Sequence, residues 1–500
     1  MRWHDHKRIG LAFLFTCLGF LLFGGVLAML MRWQLARPGA MRPETYNMLL
    51  TMHATIMIFF VITPLLTSGF GNYLIPLKIG AANLAMPRAA AASFWIWLLG
   101  GGVLISGMFL TGGGASTGWT AYAPLSAIQF NGNGSLAFSS GWPIACAVIC
   151  ALIASVCAFE APNIRAGLRI SIAIAAAGLT FWLLLRIEFE GQSCWFVSLL
   201  LFGISSIIGA INAIVTILSR RCEGMILMHL PLSVWSFFIT AFITILATPV
   251  LTAALVMNLL DHHRITHFFQ PANWIDNGHL SPSTAGVAML WPHLFWFYAH
   301  PAVYVMILPA MGIISDVLPV FSHKPIFGYR PILYSMLAIA GLGFVVWGHH
   351  LFQSGLNPAI GNAFSFSSML IGVPSGVETF SWIATLWNGR ISFSAAMLSA
   401  IAFISLFVIG GLSGIFLAST PVDAQLHNTY FVVAHIHYVL FGGSLFGIFA
   451  GIYFWFPKMF GRLMNETAGR CHVILSYIFF NGTFFTMHLL GFAGMPRRVN

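Results

Sequence analysis

Apolar residues fill long stretches of the chain, and short loops of polar and charged residues separate these stretches. About 20 consecutive apolar residues are enough for a helix to cross the hydrocarbon core of a bilayer. The pattern predicts about 13 such helices, with approximate cores at residues 10–31, 48–76, 90–111, 142–159, 167–185, 194–217, 229–257, 289–316, 329–351, 365–388, 395–418, 428–456 and 471–492. We therefore expect an all-α integral membrane protein, a polytopic helix bundle that forms a single domain over residues 1–500.

The composition supports a membrane location and excludes two other classes of protein. Hydrophobic residues make up 59% of the chain and charged residues only 7%, whereas soluble domains carry about 25% charged residues. The net charge of +10 comes from basic residues scattered in short loops, so a basic patch for nucleic acid is not expected. The seven cysteines contain no CxxC pair and are expected to behave as small buried apolar residues.

The loops also predict an orientation. If the N-terminus is cytoplasmic, most of the arginines and lysines lie in cytoplasmic loops, as the positive-inside rule requires. The polar start MRWHDHKR precedes a full-length apolar segment, which we interpret as the first membrane helix rather than a cleaved signal. The expected location is the cell inner (plasma) membrane, as a multi-pass protein.

Histidines at membrane depth are the most informative polar residues, because ionisable groups there are costly. A lone membrane histidine is more often a hydrogen-bonded structural residue than a ligand, so the argument depends on clustering. His435 and His437 lie two residues apart in HNTYFVVAHIHYVL and point about 200° apart on a helix. They can therefore hold two different haems through axial imidazoles. His53, in the apolar run TMHATIMIFF, could supply a second ligand to one of them.

A second set of histidines suggests copper. His349 and His350 are adjacent in FVVWGHHLF, and His300 lies in FWFYAHPAVY. Three imidazoles suit a copper ion, and Pro301 would loosen the helix beside His300. Tyr304 follows His300 at i+4 and shares its helix face. A phenol in that place is a plausible proton and electron donor to bound oxygen.

These segments, together with GFGNYLIPL, TGWTAYAPL, ISSIIGAIN, KPIFGYRP and VPSGV, resemble subunit I of the haem–copper oxidase superfamily, of the cytochrome c oxidase kind. The likeness extends from the first helix to GFAGMPRR. It implies the catalytic subunit of a terminal respiratory oxidase that reduces O2 to water. Electrons would come from cytochrome c through a separate subunit II with a two-copper (CuA) centre, alongside other oxidase subunits. Coupling to proton translocation is a further implication.

The resemblance assigns cofactors and roles residue by residue. It implies two haems and one copper ion (CuB), with His53 and His437 on the low-spin haem and His435 on the high-spin haem. The copper ligands would be His300, His349 and His350, and Tyr304 matches the tyrosine linked covalently to its copper-ligand histidine. The remaining matches are Arg497 and Arg498 for haem propionates, Trp119 in a loop near them, and Arg32 near the low-spin haem edge or simply as an interfacial anchor.

Several positions depart from the family pattern at residues that carry protons. Ala302 stands where the common pattern HPEVY has glutamate, and Tyr298 is expected to substitute, as in a subset that reads YSHPAVY. Asn83 replaces the aspartate that opens one proton channel, so that opening is expected to be absent or altered. Asn428, after His427, replaces an aspartate, which makes the family's magnesium site doubtful because hard cations favour carboxylates.

Glu378 replaces the lysine of the second proton channel. A buried carboxyl group can still relay protons, and Ser368 and Ser375 could continue a polar path. Our hypothesis is that Glu378 carries protons to the haem–copper site; the alternative is a structural glutamate paired with a nearby donor. A further departure is an inserted hairpin of two membrane helices at residues 141–187, which we expect to contact another subunit.

Other functions remain open from the sequence. Quinol-oxidising relatives carry His and Gln before the second-helix histidine, whereas this chain has Thr45 and Met48, which favours cytochrome c over quinol. A nitric oxide reductase of the same superfamily would lack the tyrosine at position 304. A membrane transporter with intramembrane histidines would bind no haem, and a degenerate paralogue would bind the metals without turnover.

Overall fold

The computed structural model describes residues 4–110, 112–127, 190–271, 275–276, 279–280 and 286–498. In these parts, eleven helices are long and apolar enough to cross a membrane. We number them α1 (His6–Ala36), α2 (Pro43–Ile79), α3 (Pro87–Gly107), α4 (Gly191–Ser219), α5 (Leu232–His262), α6 (Leu290–Ser322), α7 (Tyr329–Leu351), α8 (Pro358–Leu386), α9 (Ala395–Ala418), α10 (Tyr430–Phe460) and α11 (Glu466–Phe492). The predicted polytopic α-helical bundle is confirmed, and each of these helices overlaps one predicted core. The predicted hairpin at 141–187 lies outside the described residues.

Shorter elements connect the membrane helices. Two 3₁₀ turns, Leu125–Ala127 and Leu227–His229, lie in loops, and the helix Thr420–Leu426 joins α9 to α10. Strand β1 (Ile275–Asp276) pairs antiparallel with β2 (His279–Leu280) in the loop before α6. This two-residue hairpin is the only sheet in the described part of the chain, so the all-α prediction holds apart from it.

Three of the long helices are irregular where histidines lie. The helix α2 changes to π-helical turns at Ile56–Ile62, just after His53, and α10 does so at Tyr438–Leu445. The last part of α7 tightens into the 3₁₀ segment Trp347–Leu351. Such π and 3₁₀ stretches are frequent at functional sites, because they rotate side chains away from the regular helical positions.

The helices are held together by close packing rather than by exclusion from water. In a bilayer, helix association depends on van der Waals contact and small residues at the interfaces. On α3, a Cβ at Gly100 would lie 3.0 Å from the carbonyl oxygen of Ser198 on α4, so glycine allows the two backbones to approach. Phe13, Phe94 and Trp97 pack against one another nearby, with ring centroids 5.1 to 6.1 Å apart.

One ion pair joins the two most enclosed helices. The Lys78 ammonium at the end of α2 lies 2.6 Å from an Asp316 carboxylate oxygen on α6. The same ammonium lies 5.2 Å from the ring centroid of Trp455 on α10, in a cation–π arrangement. Since α2, α6 and α10 carry His53, His300 and the His435–His437 pair, this contact fixes the helices that bear candidate ligands.

Candidate metal centre

Three imidazoles converge between α6 and the end of α7. His300 Nδ1 lies 3.2 Å from His350 Nε2, and His349 Nε2 lies 3.1 Å from the same atom. The three residues offer ligand atoms that all lie within 4.8 Å of one another, the only such group of three among the described residues. Metal–imidazole bonds are about 2.0–2.1 Å long, so nitrogens at this spacing fit a single metal ion. The donor set, three neutral imidazoles, suits copper.

Neighbouring side chains orient these imidazoles. His349 Nδ1 lies 2.8 Å from the hydroxyl oxygen of Ser368 on α8. The ring of His350 stacks on Trp296, with centroids 3.5 Å apart and planes 11° from parallel. Contacts of this kind fix the tautomer and tilt of a ligating histidine. Ser368, which could continue a polar path from Glu378, lies against a candidate copper ligand.

Tyr304 lies beside His300, as the i+4 spacing predicts. The phenol oxygen is 2.9 Å from His300 Nε2, the nitrogen that faces away from the other two imidazoles. Gly343 on α7 makes room for this ring, because a Cβ there would lie 2.8 Å from Tyr304 Cδ2. The phenol is therefore held within hydrogen-bond distance of a candidate copper ligand.

His53 on α2 and His437 on α10 face each other. Their ring centroids are 6.5 Å apart and their planes differ by 10°. Two imidazoles on opposite sides of one metal, with bonds of about 2 Å, have centroids on the order of 6 Å apart. His53 Nδ1 donates to the Gly24 carbonyl at 2.9 Å and His437 Nδ1 to the Val433 carbonyl at 2.7 Å. Each ring keeps Nε2 for a metal, so the pair fits bis-imidazole ligation of haem iron.

His435 lies on another side of α10, as the two-residue spacing predicts. Its Nδ1 lies 3.0 Å from both the Gly410 carbonyl oxygen and the Ser413 hydroxyl oxygen on α9. Gly414 lets the ring approach α9, since a Cβ there would lie 2.9 Å from His435 Cε1. The geometry leaves His435 Nε2 for a second iron, on a different face from His437.

The two C-terminal arginines are held close to these helices. The Arg497 amide donates to the Asn428 carbonyl at 2.8 Å, and Tyr430 N donates to Met495 O at 2.9 Å. Burial, with the positive charge of Arg498, lowers the pKa of Arg497 to about 10. Because that value remains far above neutrality, Arg497 carries its charge under ordinary conditions and can pair with a carboxylate.

Arg498 lies against the loop that contains Trp119. Gly118 has a φ of +86°, a conformation that favours glycine, and a Cβ there would lie 2.8 Å from a guanidinium nitrogen of Arg498. The Trp119 ring lies 5.6 Å from Trp296, which in turn stacks on His350. Ring contacts of Trp119 and Trp296 therefore connect the loop beside Arg498 with the imidazole cluster. The role of Trp296, four residues before His300, was not predicted, although its helical spacing from His300 could have indicated it.

Arg32 reaches towards the His53–His437 pair from the end of α1. Its guanidinium lies 3.6 Å from the Met487 sulfur on α11. On the same helix, Phe484 stacks on His437, with ring centroids 4.3 Å apart. Arg32 thus lies near His53 and His437, the candidate haem ligands, rather than on an isolated part of the bundle surface.

Glu378 is fully buried on α8. Neither of its carboxylate oxygens has a hydrogen-bond partner among the described residues. The Ser375 hydroxyl donates to Ile371 O on its own helix at 2.9 Å, and Ser368 lies further along α8 at His349. The expected alternative, a glutamate paired with a nearby donor, has no such donor in the described part of the chain.

Tyr298 and Asn83 occupy separate places. Tyr298 is buried on α6 and lines an internal cavity together with Ala302. The Asn83 side chain accepts from the amide of His6 at 3.2 Å and donates to the carbonyl of His4 at 2.9 Å. Asn83 therefore ties the N-terminal segment to the loop between α2 and α3.

Comparison with known proteins identifies the family. The profile described as "Cytochrome C and Quinol oxidase polypeptide I" matches residues 8–500. Cytochrome c oxidase subunit 1 of Thermostichus vulcanus is 42% identical over 497 residues, which is 99% of this chain and 77% of the relative. The subunit of a Synechocystis species is 44% identical over 497 residues, with the same coverage. A probable cytochrome c oxidase subunit 1-beta of Nocardia farcinica is 42% identical over 496 residues, or 99% and 72% of the two chains.

A solved structure shows the same fold. A chain from a cryo-EM structure of a heme-copper terminal oxidase dimer superposes with a TM-score of 0.73 at 18% identity, covering 99% of this chain and 76% of the other. A bundle of membrane helices around buried imidazoles defines a membrane-bound metalloenzyme. The chain belongs to the cytochrome c and quinol oxidase polypeptide I family. It is the catalytic subunit of a haem–copper oxygen reductase, and the family implies haem and copper.

Proposed function

We propose that this subunit reduces O2 to water at a copper ion and a high-spin haem, with electrons that arrive from cytochrome c through a low-spin haem. The observation that carries the proposal is the convergence of His300, His349 and His350, with the Tyr304 hydroxyl 2.9 Å from His300 Nε2. Three imidazoles and an adjacent phenol supply both a metal site and a proton at the same place.

Six histidines would hold the metals. His300, His349 and His350 would hold one copper ion, and His435 the high-spin haem iron; His53 and His437 would hold the low-spin haem. The bound metals would supply the redox chemistry of oxygen reduction. The polypeptide fixes His300, His349 and His435 through the nitrogen that would not bind the metal, and it would keep the partly buried Tyr304 as a proton donor at the site.

The two arginines would bind haem propionates. Arg497 is charged, and the hydrogen bond from its amide to the Asn428 carbonyl fixes its backbone. The guanidinium therefore extends from a fixed position. A guanidinium forms two parallel hydrogen bonds with a carboxylate. Trp119 would pack beside this pair, and Arg32 would contact the edge of the low-spin haem.

Glu378 would carry protons to the site. Its carboxyl group is fully buried and has no protein partner among the described residues. A carboxyl group in such surroundings exchanges protons with water rather than serving as a fixed salt-bridge partner. Tyr298, at the inner end of a separate cavity, would serve a second route, and both would allow coupling to proton translocation.

Cytochrome c is the proposed electron donor, through a separate subunit II that carries a CuA centre. The stretch before His53 has Thr45 and Met48 where quinol-oxidising relatives have His and Gln. The 42–44% identical relatives carry the name cytochrome c oxidase subunit 1. Tyr304, beside His300, disfavours nitric oxide reduction.

The membrane arrangement is also proposed. The chain would lie in the plasma membrane as a single domain with its N-terminus in the cytoplasm, where most of its loop arginines and lysines would then lie. It would work within a complex of oxidase subunits. The additional hairpin at 141–187 would contact one of them.

Analysis of bound metal tests the assignment of the six histidines. The purified complex is expected to contain copper in this subunit and two spectrally distinct haems. His437→Ala should remove the low-spin haem signal and leave copper, whereas His349→Ala should remove copper and leave the low-spin haem. Loss of the same cofactor in both variants would contradict the assignment. His323→Ala, at an exposed histidine far from the site, serves as the control.

A further inference from the structure

Two adjacent histidines lie where α5 meets the start of α4, on helices that carry none of the six candidate ligands. His262 is the last residue of α5 and is 1% exposed, and His263 follows it. The residue before α4 is Glu190, and its carboxylate oxygen Oε2 lies 3.8 Å from His262 Nε2. This pair of an imidazole and a carboxylate takes no part in the proposed oxygen chemistry.

The backbone fixes the tautomer of His262. Its Nδ1 lies 3.0 Å from the carbonyl oxygen of Ser126, which can only accept, so Nδ1 carries the hydrogen. In the neutral ring, Nε2 is therefore a lone-pair acceptor. That atom is buried and has no hydrogen-bond partner among the described residues, although it faces the Glu190 carboxylate. Two electron-rich atoms thus lie opposite each other, which is unfavourable unless a positive charge lies between them.

The separation of the two atoms favours a metal ion over a proton. A protonated imidazole that donates to a carboxylate has an N···O distance of about 2.7–2.9 Å, which is shorter than the 3.8 Å between His262 and Glu190. Zinc binds an imidazole nitrogen at about 2.0–2.1 Å and a carboxylate oxygen at about 2.0–2.2 Å, so two ligands of one tetrahedral zinc ion lie about 3.4 Å apart. A small shift of the Glu190 side chain, which is 26% exposed, reaches that distance.

The neighbouring polar side chains have other partners. His263 Nε2 lies 3.0 Å from the Ser193 hydroxyl oxygen on α4. The Asp261 carboxylate accepts from the Thr266 hydroxyl and from two backbone amides. His262 and Glu190 are therefore the two ligands that the described residues offer here. The partial exposure of the carboxylate gives water access to the remaining coordination positions, as in zinc sites that keep an open position.

We propose that His262 Nε2 and the Glu190 carboxylate bind a divalent zinc ion, with water in the remaining positions. One imidazole and one carboxylate are donors that zinc accepts. The bound ion ties the start of α4 to the end of α5. Because His262 also holds the Ser126 carbonyl, the ion stabilises the loop that contains Trp119. The site goes beyond the proposed function and does not depend on it.

Zinc binding to the purified complex tests the site. Weakly bound metal is removed with a chelator, the complex is dialysed against zinc chloride, and zinc, copper and iron are measured by elemental analysis. The wild type is expected to bind one zinc ion more than His262→Gln or Glu190→Gln. Loss of a supporting contact alone lowers metal affinity about 10–100-fold, so loss of a ligand should weaken zinc binding by about 100-fold or more. His323→Gln, at an exposed histidine, should bind zinc as the wild type does.

X-ray absorption at the zinc edge provides a second readout on the wild type alone. The expected spectrum shows one imidazole and oxygen ligands at about 2.0–2.2 Å. Added zinc should also raise the temperature of thermal inactivation of the wild type but of neither ligand variant.

Equal zinc content in the wild type and in either ligand variant would overturn the proposal, because the ion would then lie elsewhere, the copper site included. A wild type that binds no zinc, or a zinc ion held by sulfur or by several imidazoles, would overturn it as well. A variant that fails to fold is recognised by its loss of iron and copper, and the wild-type spectrum then decides the question.

Discussion

Most of the candidate ligands are fixed by a contact made through the ring nitrogen that faces away from the metal position, and His350 by stacking on Trp296. Ser368 holds His349, Gly410 and Ser413 hold His435, and backbone carbonyls hold the two histidines of the bis-imidazole pair. Such supporting contacts strongly influence how tightly a metal is bound. The residue-scale predictions therefore concern both the groups at the site and the groups that support them.

Removal of the Tyr304 hydroxyl should stop oxygen reduction while the metals stay bound. The phenol is the ionisable group closest to His300 Nε2, at 2.9 Å, and loss of a general acid typically lowers a rate by on the order of 100-fold or more. Oxygen consumption of Tyr304→Phe measures this effect, and Tyr334→Phe, which is 57% exposed on α7, is the control. Near-normal turnover in Tyr304→Phe would contradict the assigned role.

Glu378→Gln should slow steady-state oxygen consumption about tenfold or more, equivalent to roughly 1.4 kcal/mol of barrier. The amide keeps the size of the buried side chain but cannot carry a proton. Glu223→Gln, in an exposed loop, should have no effect. Equal rates for Glu378→Gln and wild type would remove Glu378 from the proton route without affecting the oxidase assignment.

Ser368→Ala should weaken copper binding. Loss of a supporting hydrogen bond to a ligating histidine typically lowers metal affinity about 10–100-fold. Competition of the purified complex with a copper chelator measures the change. Ser367→Ala is a matched control, because that hydroxyl contacts the Val345 carbonyl rather than a histidine. Equal copper retention in both variants would show that Ser368 does not support the site.

The candidate ligands could be predicted from the sequence because histidines are rare and costly inside apolar helices. The clustering of His349 with His350 and of His435 with His437 is visible in the sequence. The stacking of Trp296 on His350 was not, because tryptophan on an apolar helix ordinarily packs in the core. The contact of Ser368 with His349 was also unpredicted, since it joins two helices whose relative rotation the sequence does not specify.

At the scale of elements, the helices that carry ligands are the irregular ones. Hydropathy predicted α7 at 329–351 and α9 at 395–418, with the bounds that the structure shows. It could not predict the π turns after His53 and His437 or the 3₁₀ turn that bears His349 and His350. These features arise where packing against neighbouring helices outweighs the regular hydrogen-bond pattern.

Asp316→Asn should destabilise the contact between α2 and α6. It leaves Lys78 without its carboxylate in a place where both side chains are less than 20% exposed, and the expected loss is about 1–3 kcal/mol. Thermal inactivation of the purified complex measures it. The double variant Lys78→Met with Asp316→Leu should recover much of the loss, because no unpaired charge remains. A fully stable single variant would show that the ion pair contributes little.

At the scale of the whole molecule, the bundle encloses the imidazole sites and contains two features beside them. One is the cavity lined by Asn72 and Tyr298, and the other is Glu378, buried on α8. The fold class and the order of the membrane helices could be predicted, since each span is long and strongly apolar. The cavity could not, because its lining comes from four helices and depends on their packing.

The central claim is that this subunit reduces oxygen at the His300, His349 and His350 site. Oxygen consumption by the purified complex, with reduced cytochrome c as donor, tests it most directly. The wild type is expected to consume oxygen, and His350→Ala to have lost that activity while the low-spin haem spectrum persists. A wild-type complex that holds haem and copper but consumes no oxygen with cytochrome c or a quinol, or a His350→Ala variant that consumes it normally, would contradict the account.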